Sequence, residues 1–153
     1  MCKPKKEDFG NLSKQKYLLD TCIWRDFYED RFSNKGRYLG QYANDLFMKI
    51  IKNNDKIYFS VSLVKELSIK YNDKEIFDML NILFLINSLI KIEVTKTEIN
   101  EAKILSKKRN LPFTDCLCAV QARNHKAILI SQDKHILINL SDITITKRPE
   151  DII

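Results

Sequence analysis

Apolar positions along the chain fall into blocks of two kinds that alternate. Short apolar-rich blocks bounded by polar or turn-forming residues have the length of buried strands; they cover residues 16–19, 57–61, 89–94, 127–130 and 143–146. Between them, apolar residues recur at helical spacing. Ile23, Trp24, Phe27 and Tyr28 sit among charges over 21–31, and Leu46, Phe47, Ile50 and Ile51 repeat one turn apart over 42–52. The stretch 33–40 holds Gly36 and Gly40 and reads as a loop. Ser62 is placed to cap a helix reaching about Tyr71, and Asp73 to begin another that runs to Asn87. In that second helix Ile82 to Ile86 is apolar on every side, so it is either sandwiched or covered at a subunit contact.

Thr95 and Glu98 form a capping box for a helix ending near Asn110. Pro112 suits the start of the next helix, with Thr114 as its N-cap and Asp115 in its first turn. A last short helix spans 135–140. Short strands alternating with helices imply βαβ units and a mostly parallel sheet. The expected fold is a single-domain three-layer α/β/α sandwich of about five strands over residues 16–146, between a polar segment, 1–15, and a tail, 147–153.

Composition narrows the class. At 153 residues the chain suits one domain with a real core, and 44% hydrophobic with 30% charged residues excludes a disordered polymer. The longest apolar run is Ile82 to Ile86, whereas a membrane span needs ~20 residues. The start, Met1-Cys2-Lys3-Pro4-Lys5-Lys6, leads into polar residues rather than the apolar centre of a signal peptide, so a cytoplasmic location is expected. Of the four cysteines none forms a CxxC pair, and Cys116 and Cys118 point to different sides of one helix. Buried free thiols are therefore expected rather than structural zinc. The net charge of +6 favours polyanionic partners, nucleic acid first among them.

The acids are informative through position. Asp20 ends the first strand, Asp115 opens the helix before the fourth, and Ser131 and Asp133 lie just past the fourth. In open α/β sheets ligands bind along that carboxyl edge. Glu66 sits about 60° from Leu63 and about 100° from Leu67 on a helical wheel, at the rim of an apolar face one turn from a strand end. Each acid also has a purely structural reading: Asp20 as a helix cap, Glu66 paired with Lys70, Asp115 facing a helix dipole, Asp133 in a polar turn. Glu98, in its capping box, is the control with a sufficient structural task. Carboxylates gathered at one edge raise each other's pKa, and a hard cation such as Mg²⁺ or Mn²⁺ removes that cost with oxygen ligands. There is no HExxH, Cys/His cluster, GxGxxG or P-loop, and His125 and His135 stand alone as surface or packing residues. An oxygen-only site on a basic domain points to phosphodiester hydrolysis, with Lys14, Lys16, Arg25, Lys65 and Lys134 as candidate phosphate contacts.

Three ordered motifs sharpen this: Tyr17-Leu18-Leu19-Asp20-Thr21, Phe59-Ser60-Val61-Ser62-Leu63-Val64-Lys65-Glu66-Leu67, and Thr114-Asp115-Cys116-Leu117-Cys118-Ala119-Val120-Gln121-Ala122, the last followed by Ile128-Leu129-Ile130-Ser131-Gln132-Asp133-Lys134. With them the chain resembles, over about residues 16–146, the PIN-domain ribonucleases, a family that includes the VapC-type toxins of toxin–antitoxin pairs. The resemblance implies that Asp20, Glu66, Asp115 and Asp133 are metal-binding acids, with Ser131 and Thr21 as supporting polar groups. It further implies Mg²⁺- or Mn²⁺-dependent cleavage of RNA, a homodimer, and an antitoxin partner that silences the site. Cys116 and Cys118 stand where the family usually has smaller or aliphatic residues, Asp133 takes its least constant acid position, and the long segment from Asp26 to Gly40 is less typical. The alternative is a catalytically inactive PIN-fold module that binds RNA or protein; its members usually lack one or more acids, and here all four positions are filled. A phospho-acceptor receiver domain fits less well, because Val94-Thr95 and Thr146 do not supply its strand-end pattern.

Overall fold

In the computed structural model, which describes residues 14–153, five strands lie parallel in one sheet. They are β1 (Lys16–Leu19), β2 (Lys56–Phe59), β3 (Leu89–Lys91), β4 (Ile128–Ile130) and β5 (Thr146–Lys147), in the order β3-β2-β1-β4-β5. The polar segment expected at 1–15 falls almost wholly outside the described residues. The all-parallel α/β sandwich agrees with the sequence pattern. β1 is central: Leu18 lies opposite Tyr58 on one flank and Leu129 on the other. The chain works outward from β1 to β2 and β3, then returns to lay β4 on the opposite flank. The carboxyl ends of β1 and β4 thus flank the switch point, where parallel sheets open a crevice.

Strand alternation divides the core between two helical layers. Tyr17, Leu19, Ile57, Phe59 and Ile130 pack against α1 (Thr21–Glu29), α2 (Leu39–Asn53), α3 (Val61–Ser68) and α4 (Asp73–Leu85). Leu18 and Leu129 face the other way, onto α5 (Lys96–Arg109), α6 (Phe113–Asn124) and α7 (Lys134–Asn139). Cys116 is buried in this second layer, and Cys22, Cys116 and Cys118 are free thiols, as expected.

Several boundaries differ from the sequence reading. Ser60, not Ser62, caps α3, its Oγ accepting from the Ser62 amide at 3.2 Å. α4 begins at Asp73 as read, capped by Asn72 in a reciprocal box with Glu75, but ends at Leu85 rather than Asn87. Pro112 takes the N-cap position of α6, which moves Thr114 inside the first turn. The closing strand comes three residues late because Arg109 grips both oxygens of Asp142 at 2.7 Å and donates to the Asn139 carbonyl, holding the preceding residues in a turn. Residues 147–153 return to the first layer: a 3-10 turn, Pro149–Asp151, leads to Ile152, whose side chain packs against that core while its carbonyl accepts from Lys49 Nζ of α2.

Helix α4 is not sandwiched. It buries Ile76, Met79 and Leu83, but Phe77, Ile82, Phe84 and Leu85 are mostly exposed.

α2 begins earlier than its pattern suggests, taking in Gly40. The Gly40 amide donates to the Arg31 carbonyl at 2.9 Å, and a Cβ there would lie 2.8 Å from the Asp30 Cα and 2.9 Å from its carbonyl carbon. These are backbone atoms and cannot swing away. Alanine ordinarily improves a helix, yet Gly40→Ala is expected to lower stability by ~1–3 kcal/mol through overpacking, read as a reduced midpoint in urea denaturation.

Candidate functional site

β1 delivers Asp20 to the middle of the carboxyl edge. Its Oδ1 accepts from the Thr21 amide at 2.8 Å, so it caps α1, and its Oδ2 accepts from Ser131 Oγ at 2.8 Å and from the Cys22 thiol at 3.0 Å. Asp20 is only 8% exposed. Burial raises its pKa; the bonds from Cys22, Ser131 and Thr21 pull it back, the charge of Glu66 adds to the rise, and the net direction is upward.

Glu66 lies between buried Leu63 and Leu67 on α3, at the rim the helical wheel assigns it. Thr21 Oγ1 donates to Glu66 Oε2, which ties the second acid to the first motif. The surface pair with Lys70 does not form; Lys70 binds Glu29 at 2.6 Å instead. Asp115 stands in the first turn of α6, partly buried. Desolvation, followed by the charges of Asp20, Asp133 and Glu66, pushes its pKa up to about 7. Asp133 caps α7 through the His135 amide at 2.8 Å, and its own amide donates to Ser131 Oγ at 2.9 Å. One hydroxyl therefore links the turn bearing the fourth acid to the carboxylate of the first.

The four acids thus form one electrostatic group drawn from four segments. Glu98 stays out of it: it is buried in its capping box with Thr95 and accepts from Asn124. Among the described residues no group of three or more His, Cys, Asp or Glu side chains is placed to hold a metal ion. The donor set is nonetheless one that suits a hard cation, since it is oxygen-only and its members load one another with uncompensated negative charge.

The candidate phosphate contacts do not all share this edge. Lys65 directly precedes Glu66 on α3 and Lys134 directly follows Asp133; both are exposed. Arg25 lies one turn into α1, 3.9 Å from Glu29. Lys14 and Lys16 precede or begin β1, at the opposite edge of the parallel sheet, and the structure does not bring them to the acids. His125 packs edge-on against Tyr58, and His135 is exposed.

Sequence reasoning missed two features. Cys22 reads as an inert thiol until the α1 turn aims it at Asp20. The second is a latch beside Asp133: Glu150 accepts from Arg37 and, at 2.8 Å, from Gln132 Nε2, while Arg37 Nη2 approaches Gln132 Oε1 at 3.5 Å. Gln132 sits between Ser131 and Asp133, so the α1–α2 loop and the chain's last turn both hold the turn that carries the fourth acid.

Comparison with known proteins agrees with this architecture. The PIN-domain family model matches residues 17–141. No curated protein sequence matches the chain. Among solved structures, VapBC2 from Rickettsia felis bound to a promoter DNA fragment superposes with a TM-score of 0.59 at 17% identity, covering 88% of this chain and 98% of that one. A toxin–antitoxin complex from Klebsiella pneumoniae gives 0.59 at 15%, covering 87% and 97%. FitAcB from Neisseria gonorrhoeae gives 0.57 at 17%, covering 89% and 99%. At these identities the likeness is one of fold. With the family model matched across most of its length, and the acids on the edge that fold exposes, the chain belongs to the PIN-domain family.

Proposed function

We propose that this protein is a divalent-metal-dependent endoribonuclease acting as the toxin of a toxin–antitoxin pair. Asp20, Glu66 and Asp115 hold the metal, and Asp133 is a fourth ligand or orients the attacking water. The observation that carries this reading is the linkage of the acids at one sheet edge, Glu66 tied to the first motif through Thr21 and the Asp133 turn tied to Asp20 through Ser131, beside an Asp115 raised to about 7 by desolvation and then by the charges of Asp20, Asp133 and Glu66. Acids kept together at such a cost serve a cation better than they serve the fold. PIN domains are generally nucleases that need a divalent metal, and the three solved structures above, one of them a toxin–antitoxin complex, share this fold.

Mg²⁺ or Mn²⁺, when bound, supplies Lewis acidity and neutralises charge on the scissile phosphate. The chain's own residues supply position. Ser131 and Cys22 keep Asp20 from turning, and Thr21 fixes Glu66. Lys65 and Lys134, exposed beside Glu66 and Asp133, draw in the RNA backbone.

A homodimer and an antitoxin partner belong to the same reading. Their support is apolar surface that a monomer leaves bare. One area is the outer side of α4; another is a cavity of about 500 Å³ whose lining includes Val61, Ile69, Ile99 and Phe113 and reaches Glu66 itself. A segment laid in that cavity would cover an acid of the site. Among the described residues no helix is long and apolar enough to cross a membrane.

Incubation with total RNA, with and without Mn²⁺, tests the enzyme reading. Asp20→Asn is expected to reduce cleavage on the order of a hundredfold or more while the circular dichroism spectrum is retained. Glu98→Gln is expected to cleave as the parent does, and full activity in excess EDTA overturns the mechanism. RNA binding with no metal-stimulated cleavage identifies the inactive module instead.

Stability tests the cation independently of activity. In the metal-free protein the folded pKa of Asp115 lies above its unfolded value of 3.8. The folded state therefore holds the proton more tightly, and stability from this group falls as pH rises from about 4 to about 7. Asp115→Asn is expected to flatten that fall. Adding Mn²⁺ is expected to raise Tm strongly at pH 8 and little at pH 5, as followed by differential scanning fluorimetry.

A further inference from the structure

The loop joining α1 to α2, which exceeds what a simple helix–helix turn requires, carries an aromatic pair that no core claims. Phe32 is 62% exposed and stacks on Tyr38 with ring centroids 4.2 Å apart and planes within 10° of parallel. Tyr38 covers one face of the Phe32 ring, so that exposure leaves the other face open to solvent. The pair is also held in place. Tyr38 Oη donates to Asp30 Oδ1 at 2.6 Å, and Arg31 anchors the loop's start on buried Asp26 through two bonds of 2.9 and 2.7 Å. The loop is closed by Ser33 N to Arg37 O at 2.8 Å, Gly36 N to Ser33 O at 2.9 Å and Arg37 N to Ser33 Oγ at 2.9 Å, with Gly36 supplying a φ of +80°. A phenylalanine fixed with one face bare has its ordering cost already met, which suits it to receive a flat ligand.

Position indicates which ligand. Through Arg37 the loop reaches Gln132 and Glu150, and Gln132 lies between Ser131 and Asp133. The platform therefore borders the turn that bears the fourth acid. Lys35, at the loop's tip, is exposed and forms no ion pair with the described residues, and Lys134, the residue after Asp133, is exposed at the start of α7. An open aromatic face with nearby cations beside a phosphodiester site is the combination that binds unpaired bases, because every base has a π-face and every linkage a charge.

We propose that Phe32 is a stacking platform for an unpaired base flanking the cleaved phosphodiester, extending the Tyr38–Phe32 pair to a third ring, with Lys35 contacting the backbone. The identity of the ligand rests on the nuclease reading above. It makes the preferred substrate single-stranded at that position and tolerant of base identity there.

The test separates binding from cleavage. Asp20→Asn protein is titrated with a fluorescein-labelled single-stranded RNA of mixed sequence and followed by anisotropy. Adding Phe32→Ala is expected to weaken binding roughly tenfold, with the slope of log Kd against log salt unchanged, because stacking releases no counterions. Phe32→Trp is expected to bind at least as tightly as Phe32, and Lys35→Ala to reduce the salt slope. With Asp20 restored, Phe32→Ala is expected to raise KM by a similar factor while kcat is retained. Equal affinity with and without the Phe32→Ala change overturns the platform. So does a Phe32→Ala variant that binds RNA normally but loses a co-purified protein partner, which assigns the ring to protein docking. The titration needs no chemistry, so a chain that binds through Phe32 but never cleaves refutes the nuclease reading and leaves the platform standing.

Discussion

A carboxylate withdrawn from water at the end of the central strand is the constraint around which the rest is arranged. Three donors converge on Asp20, from Thr21, Cys22 and Ser131, and they offset part of what its burial costs. None of them offsets the charges of the other acids, which act on Asp20 through Glu66 and add to desolvation in raising Asp115. The geometry is thus stable with one surplus proton or one cation in its midst. The proposed chemistry takes the cation.

Helix caps are how the fold places two of its four acids. In a βα unit the residue that caps the helix is also the residue that leaves the strand, so it stands on the carboxyl edge by construction. Asp20 caps α1 and Asp133 caps α7, and both belong to the group acting on Asp115. The structural and functional readings of these acids are compatible, since one oxygen can serve the cap while the carboxylate still faces its neighbours. Glu98 marks the contrast. Both its oxygens accept bonds within the α5–α6 layer, and its charge does not figure among those acting on Asp115.

How much was legible in the sequence depended on how local the cause was. β1 and β4 could be read because burial on both faces makes near-continuous apolar blocks, and the acids because strand ends announce the edge. Glu66 could be placed from wheel angles alone, given that Leu63 and Leu67 face the core. The closing strand was misplaced because Ile143 to Thr146 alternates like a strand, while the Arg109–Asp142 pair that bends it comes from 33 positions away. Ser60 and Ser62 are equal candidates for a cap until the last strand residue is known. The continuous apolar run in α4 showed that its outer face needed cover, but two causes leave that same pattern and only the folded chain excludes one. Cys22 gave no signal, because a thiol becomes a meaningful donor only with a carboxylate in front of it. The Arg37–Glu150 contact spans 113 positions and has no local trace at all.

That contact also bears on how ionic strength acts on this molecule. Arg37 is 41% exposed, so its pairing with Glu150 weakens as electrolyte is added. What weakens with it is the hold on Gln132, and through the backbone on the residues either side. Under the proposed function, an electrolyte titration of turnover would then combine two effects, counterions returning to the nucleic acid and a slackening of the protein's own frame. A neutral osmolyte series at constant conductivity would distinguish the second from the first.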